Sequence, residues 1–162
     1  MTEARALLRH ALATLGYRGG KAIRNAPASF ADYRCSESSR TPVEILAHIG
    51  DLLDWGLTIA EGRQTWQTSA PLAWEKERER FFAVLKKFDD YLASEKPLHV
   101  PADKLFQGPL ADALTHTGQI AMLRRISGAP IKGESYFVAE ITAGQSETTR
   151  PRLERISIRL EV

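Results

Sequence analysis

The chain has 162 residues, of which 43% are hydrophobic and 26% charged, and a net charge of +2 from 22 basic and 20 acidic side chains. This length fits one domain with a sizeable core, and the balanced charge excludes the basic footprint of a nucleic-acid surface. A single cysteine, Cys35, excludes an internal disulfide and fits a reducing compartment, and no apolar run approaches the ~20 residues that span a bilayer. Glu3, Arg5 and Arg9 interrupt the N-terminal apolar residues, so no signal-peptide block is present and a cytoplasmic protein is expected.

Thr2 to about Tyr17 reads as a first helix. Leu7, Leu8, Ala11, Leu12 and Leu15 recur at helical spacing, with Arg5 and Arg9 on the surface. Gly16 and then Gly19-Gly20 weaken its end, and helix resumes briefly, if at all, over residues 21–24. Residues 25–40 carry Pro27 and several serines without a clean period and read as a loop holding Cys35, with Phe30 and Tyr33 against a core edge.

The second helix has the strongest start signal in the chain. Thr41-Pro42-Val43-Glu44 is a capping box with proline at the first helical position. Ile45, Ile49, Leu52, Leu53, Trp55 and Ile59 then form an apolar stripe that includes His48, and Glu61-Gly62 ends it. A loop with Trp66 and Pro71 follows.

The third helix spans about Ala73 to Ser94. Trp74, Phe81, Val84, Leu85, Phe88 and Leu92 face inward, and the charge run over residues 75–80 reads as a solvated face. Residues 96–106, with Pro97, His99 and Pro101, read as a loop. The fourth helix is expected to open at Pro109 and close before Gly128-Ala129-Pro130, with Arg124 and Arg125 in its last turn complementing the dipole. Four amphipathic helices predict an all-α four-helix bundle over residues 1–143 with open topology. Tyr136 to Ile141 is an apolar-aromatic run. In the tail, 144–162, the alternation of Ile156, Ile158, Leu160 and Val162 predicts an extended segment, a possible β-strand over 155–162.

Chemistry concentrates in Asp112-Ala-Leu-Thr-His116-Thr-Gly-Gln119. On a helix, Asp112 and His116 at i and i+4 project from one face on adjacent turns, a geometry suited to two ligands of one divalent ion. His48, on the inward stripe of another helix, is the candidate third ligand. Two histidines and a carboxylate leave positions open for water or substrate and suit zinc, nickel, iron or manganese. Glu44 and Asp51 flank His48 by one turn and are candidates to orient its ring, or, for Glu44, to serve as a fourth ligand. Gln119 and Arg125 are candidate ligand or substrate contacts, Arg124 and Arg125 a candidate carboxylate clamp, and Tyr136 with Phe137 a candidate aromatic lid. Each residue also has a structural reading: a hydrogen-bonded core histidine, an aspartate placed for the helix dipole, a solvated glutamine, arginines paired with a dipole, packed aromatics.

The segments Thr41-Pro-Val-Glu-Ile-Leu-Ala-His48 and His116-Thr-Gly-Gln119, the latter running into Leu123-Arg-Arg-Ile-Ser-Gly-Ala-Pro130, resemble the DinB/YfiT-like superfamily over roughly residues 1 to 143. The resemblance implies a four-helix bundle holding a metal through one histidine of helix two and two residues of helix four. The usual helix-four pattern is His-x-x-x-His followed by Arg-Gly-Gln. Here Asp112 replaces the first histidine, and Thr117 stands where arginine is common. The resemblance further implies a homodimer acting as a hydrolase, or as a transferase or isomerase that uses a low-molecular-weight thiol on a small-molecule substrate; from the balanced charge and the lack of a long apolar run, no nucleic-acid or membrane partner is expected. The rival expectation is a non-catalytic helical binding or assembly module whose His48, Asp112 and His116 form a structural polar core.

Overall fold

In a computed structural model, residues 1–144 are described, and the strand expected over 155–162 lies outside them. The order is α1 (Glu3–Ile23), a 3-10 turn (Ala28–Phe30), α2 (Pro42–Ala60), α3 (Trp74–Ala93), α4 (Ala102–Leu105), a π-helical turn (Phe106–Leu110) and α5 (Ala111–Ile126). The last three run on without a break, so four helical rods enclose the core, and the described residues contain no strand. No helix among them is long and apolar enough to cross a membrane.

Two helices differ from their expected bounds. α1 continues through Gly16, Gly19 and Gly20 to Ile23. Glycine costs a helix interior about 1 kcal/mol relative to alanine, but here it lets α3 approach closely: a Cβ on Gly19 would lie 2.6 Å from Cζ of Phe81. The fourth rod begins at Ala102, not Pro109, so part of the expected loop is helical. Pro109 sits inside the rod, within the π turn. Proline lacks the N–H that the α pattern requires, and a π turn is one way a helix absorbs that loss. Asp112 therefore lies well inside a helical rod rather than one turn from its start.

α1 packs on α3 and α5, and α2 packs on the same two, so α1 and α2 lie on one diagonal of the bundle. Arg9 meets Asp89 near one end and Gly19 meets Phe81 near the other, making α1 and α3 antiparallel. Arg80 reaches Ala47 while the Tyr91 hydroxyl reaches Ala60, making α2 and α3 parallel. Parallel neighbours demand a connection that returns the full helix length, about 28 Å for α2. Residues 61–73 do this, running back along α2: Thr65 bonds Thr58, Trp66 packs on Trp55, and the Ser69 amide donates to Asp51.

The core holds Leu8, Leu12 and Leu15 of α1, Ile45, Ile49 and Leu53 of α2, Phe81, Phe88 and Leu92 of α3, and Leu105, Leu110 and Ile120 of the last rod. Leu7, expected on this face, is 67% exposed. Buried arginines close two helix ends. Arg5, expected on the surface, donates to Tyr91, Leu92 and Ser94 carbonyls at the end of α3. Arg124 donates to Ala22 and Arg24 carbonyls at the end of α1 and to Ala129, satisfying acceptors that a helix terminus leaves open. The charged run of α3 is likewise not wholly solvated, because Glu77 is buried and accepts from the Leu72 amide.

Candidate metal centre

The capping box fixes the start of α2: Thr41 Oγ1 accepts from the Glu44 amide at 3.3 Å, and Glu44 accepts from the Thr41 amide at 2.6 Å. Two turns inward, His48 lies at the edge of the buried face and is half-buried between core residues Ala47 and Ile49. α5 runs antiparallel to α2, as the His48–His116 and Gly56–Pro109 approaches show, and brings His116 opposite. The two imidazole rings are 4.7 Å apart, centre to centre. Asp112, one turn below His116, is exposed, with a carboxylate oxygen 3.2 Å from His116 Nδ1. One ligand-type atom from each of His48, Asp112 and His116 lies within 4.8 Å of the others.

These residues fit a divalent ion. Nitrogen and oxygen ligands bound at about 2.0–2.2 Å sit roughly 3–3.5 Å apart, so small side-chain rotations would close the remaining gap. His116 Nδ1 lies 2.9 Å from the Asp112 carbonyl oxygen. That carbonyl can accept from the ring in the Nδ1–H tautomer, the form in which Nε2 is the ligand atom. Burial holds the His48 imidazole below its ordinary pKa, and the charges of His116 and Arg40 push it further down while Asp112 and Asp51 oppose them. A neutral ring is the form that ligates a metal.

Trp66 completes the wall. Its ring meets His48 edge-on at 5.8 Å and Trp55 at 5.6 Å, and its indole N–H donates to Thr68. Two buried carboxylates anchor the crossover that carries it. Asp51 accepts from the Ser69 amide at 3.0 Å and Glu77 from the Leu72 amide at 2.9 Å, while Arg80 bonds Asp51 at 2.5 Å and Asp54 at 3.2 Å. Asp51 thus faces α3 and the crossover, not the His48 ring. Glu44 is held by the capping box and by Arg34, so it is not placed as a fourth ligand.

From His116 a cleft of about 670 Å³ opens along α5 toward the 35–40 loop. Gln119 lines it beside Met122, Leu123 and Ile126, with Ile45, Arg40 and Cys35 on the other side. Arg125 is exposed on the last turn and is not among the lining residues, and Arg124 is committed to the end of α1, so the pair forms no clamp. Tyr136 packs edge-on against Tyr17 beneath the Arg18 guanidinium, and Phe137 is 96% exposed, so neither covers the site. The aromatic wall is Trp66 instead, which periodicity could not flag because it lies in an irregular connection. Arg40 was equally hidden, since only the fold brings the residue before a helix cap against another helix. Comparison with protein-family models, curated proteins and solved structures yields no match to this chain.

Proposed function

We propose that this protein is a divalent-metal-dependent enzyme of the DinB-like class, with His48, Asp112 and His116 holding the ion and a water or a low-molecular-weight thiol as the activated nucleophile. The observation that carries the reading is the convergence of three ligand-type atoms from two antiparallel helices at the head of an open cleft. Two histidines and one carboxylate leave coordination positions for a nucleophile, as catalytic rather than closed structural sites do. A divalent ion bound there supplies the charge that lowers the pKa of a water or thiol toward neutrality.

The chain's own residues prepare the site. The Asp112 carbonyl, 2.9 Å from Nδ1, orients the His116 ring. Trp66 meets the His48 ring edge-on and restricts its rotation. The cleft admits a substrate from the side of His116, where Gln119 offers a neutral amide for hydrogen bonding.

The test is elemental analysis of protein purified without a metal-affinity column, on wild type, His116→Ala and Asp112→Ala. Near-stoichiometric metal in wild type and its loss in both variants is expected. A chelator should also lower the melting temperature of wild type, because an ion that binds only the folded state stabilises it by mass action. Wild type that takes up no zinc, nickel, iron or manganese would overturn the reading in favour of a structural polar core in a non-catalytic module.

A further inference from the structure

The cleft beside His116 is chemically lopsided. Its floor and one wall are apolar, from Ile45, Met122, Leu123 and Ile126, and the last α5 residues leave large apolar surface open: Met122 is 55% and Ile126 54% exposed. Among the described residues no acidic side chain lines the cleft, and Arg40 is the one permanently charged side chain in its wall. Arg40 therefore brings in an uncompensated positive charge. Among the described residues no carboxylate pairs with it, and Glu44, four positions on, is already engaged by Arg34 and the Thr41 amide. Arg40 directly precedes the Thr41 capping box, so its backbone is held at a fixed helix start and not on the swinging part of the loop. Arg40 is exposed where it lines the cleft, and a guanidinium beside an apolar trough is suited to an anionic oxygen group, which it can bind through two parallel N–H bonds.

We propose that this cleft binds a small amphiphilic anion, with its carboxylate, phosphate or sulfonate group on Arg40 and its short apolar body along Ile45, Met122, Leu123 and Ile126. The proposal rests on the metal-dependent reading for its catalytic meaning, since a ligand so held lies directly beside His116. It gives that reaction a substrate class. The volume matches that of small-molecule sites, roughly 300–1,000 Å³.

Hexanesulfonate is a suitable probe, because a sulfonate is a poor metal ligand, and 1-hexanol is its neutral counterpart. Binding of each to the full chain is followed by two-dimensional ¹H–¹⁵N NMR, with zinc and with chelator. Wild type should bind hexanesulfonate about tenfold tighter than hexanol, a ratio typical of one charge-assisted contact. The shifted amides should include those of Ile45, Thr115 and Leu123. Arg40→Gln should erase the preference with the fold and zinc content unchanged, and Arg40→Lys should keep part of it. His116→Ala should lose zinc yet still prefer the sulfonate, so failure of the metal centre and failure of the anion site give different results. The proposal is overturned by equal affinity for the two probes in wild type, by a preference that survives Arg40→Gln, or by shifts mapping away from the cleft. Sedimentation showing a second copy seated over α5 that excludes the probe would overturn it as well.

Discussion

Replacing Asp51 by asparagine tests whether the 61–73 crossover is anchored by a buried charge. The Asp51 side chain is 3% exposed and accepts from Arg80 Nη2 at 2.5 Å and from the Ser69 amide at 3.0 Å. Both partners are donors. An asparagine can face only one of them with its oxygen, and its NH₂ group must then oppose the other. A hydrogen bond to a charged group is worth about 1.5–3 kcal/mol, and breaking a buried pair costs about 3–5 kcal/mol. Arg80 retains Asp54 at 3.2 Å, so the lower end applies, about 2–3 kcal/mol. In a domain of this size that lowers Tm by roughly 5–10 °C, measurable by circular dichroism at pH 7. The pH dependence is a second readout. Burial pushes the Asp51 carboxyl up, but the bonds from Arg80 and Ser69 outweigh it and hold the group below its ordinary value. Its contribution is then complete above the ordinary carboxylate range and is lost as pH falls through the depressed folded value. The gap between wild type and Asp51→Asn should therefore close on acidification. Acrylamide quenching of tryptophan fluorescence should rise in the variant, since the same crossover carries Trp66. A Tm change under about 2 °C at pH 7, or a gap of equal size in acid, would refute the anchoring argument.

Arg124→Met should lose about 3 kcal/mol in urea unfolding, because the carbonyls of Ala22, Arg24 and Ala129 lose their buried donor, while zinc uptake stays unchanged. Two glycine-to-alanine changes should differ in sign. Gly19→Ala drives a Cβ to within 2.6 Å of Phe81 and should destabilise by about 1–2 kcal/mol, whereas Gly118→Ala, with nothing within 4 Å, should stabilise by about 0.5–1 kcal/mol, both read from denaturant midpoints. Glu44→Ala should cost about 1 kcal/mol through the cap and leave metal content intact, and a loss of metal would restore it as a ligand. Zinc should change the tryptophan emission of wild type but not of Trp66→Phe, because Trp66 alone among the tryptophans contacts the His48 ring.

The all-α class, the start of α2 and the apolar faces of α2 and α3 were legible in the sequence, because caps and 3.6-residue periodicity are local properties. So was the pairing of Asp112 with His116, which any helix enforces at i and i+4. The three glycines of α1 misled for a definite reason. Propensity counts their cost to the helix, and the close approach of Leu85 to Gly16 and of Phe81 to Gly19 supplies the compensation. Leu7 on an apolar stripe and Arg5 off it exchanged places in the same way, since Arg5 found a helix end to cap.

What the sequence alone determined, then, are the number of helical rods, the start of α2 and the ligand-type side chains on two of them. The tertiary structure decided the rest. Because α2 and α3 run parallel, their connection must travel back along the bundle, and that path lays Trp66 on His48. The antiparallel approach of α5 to α2 sets the two histidine rings 4.7 Å apart. The fold sets Arg40 and α5 residues around one cleft, which makes an exposed arginine the charged part of its wall. Each depends on the direction and order of whole helices, which are set by contacts between residues far apart in the chain and leave no local pattern to read.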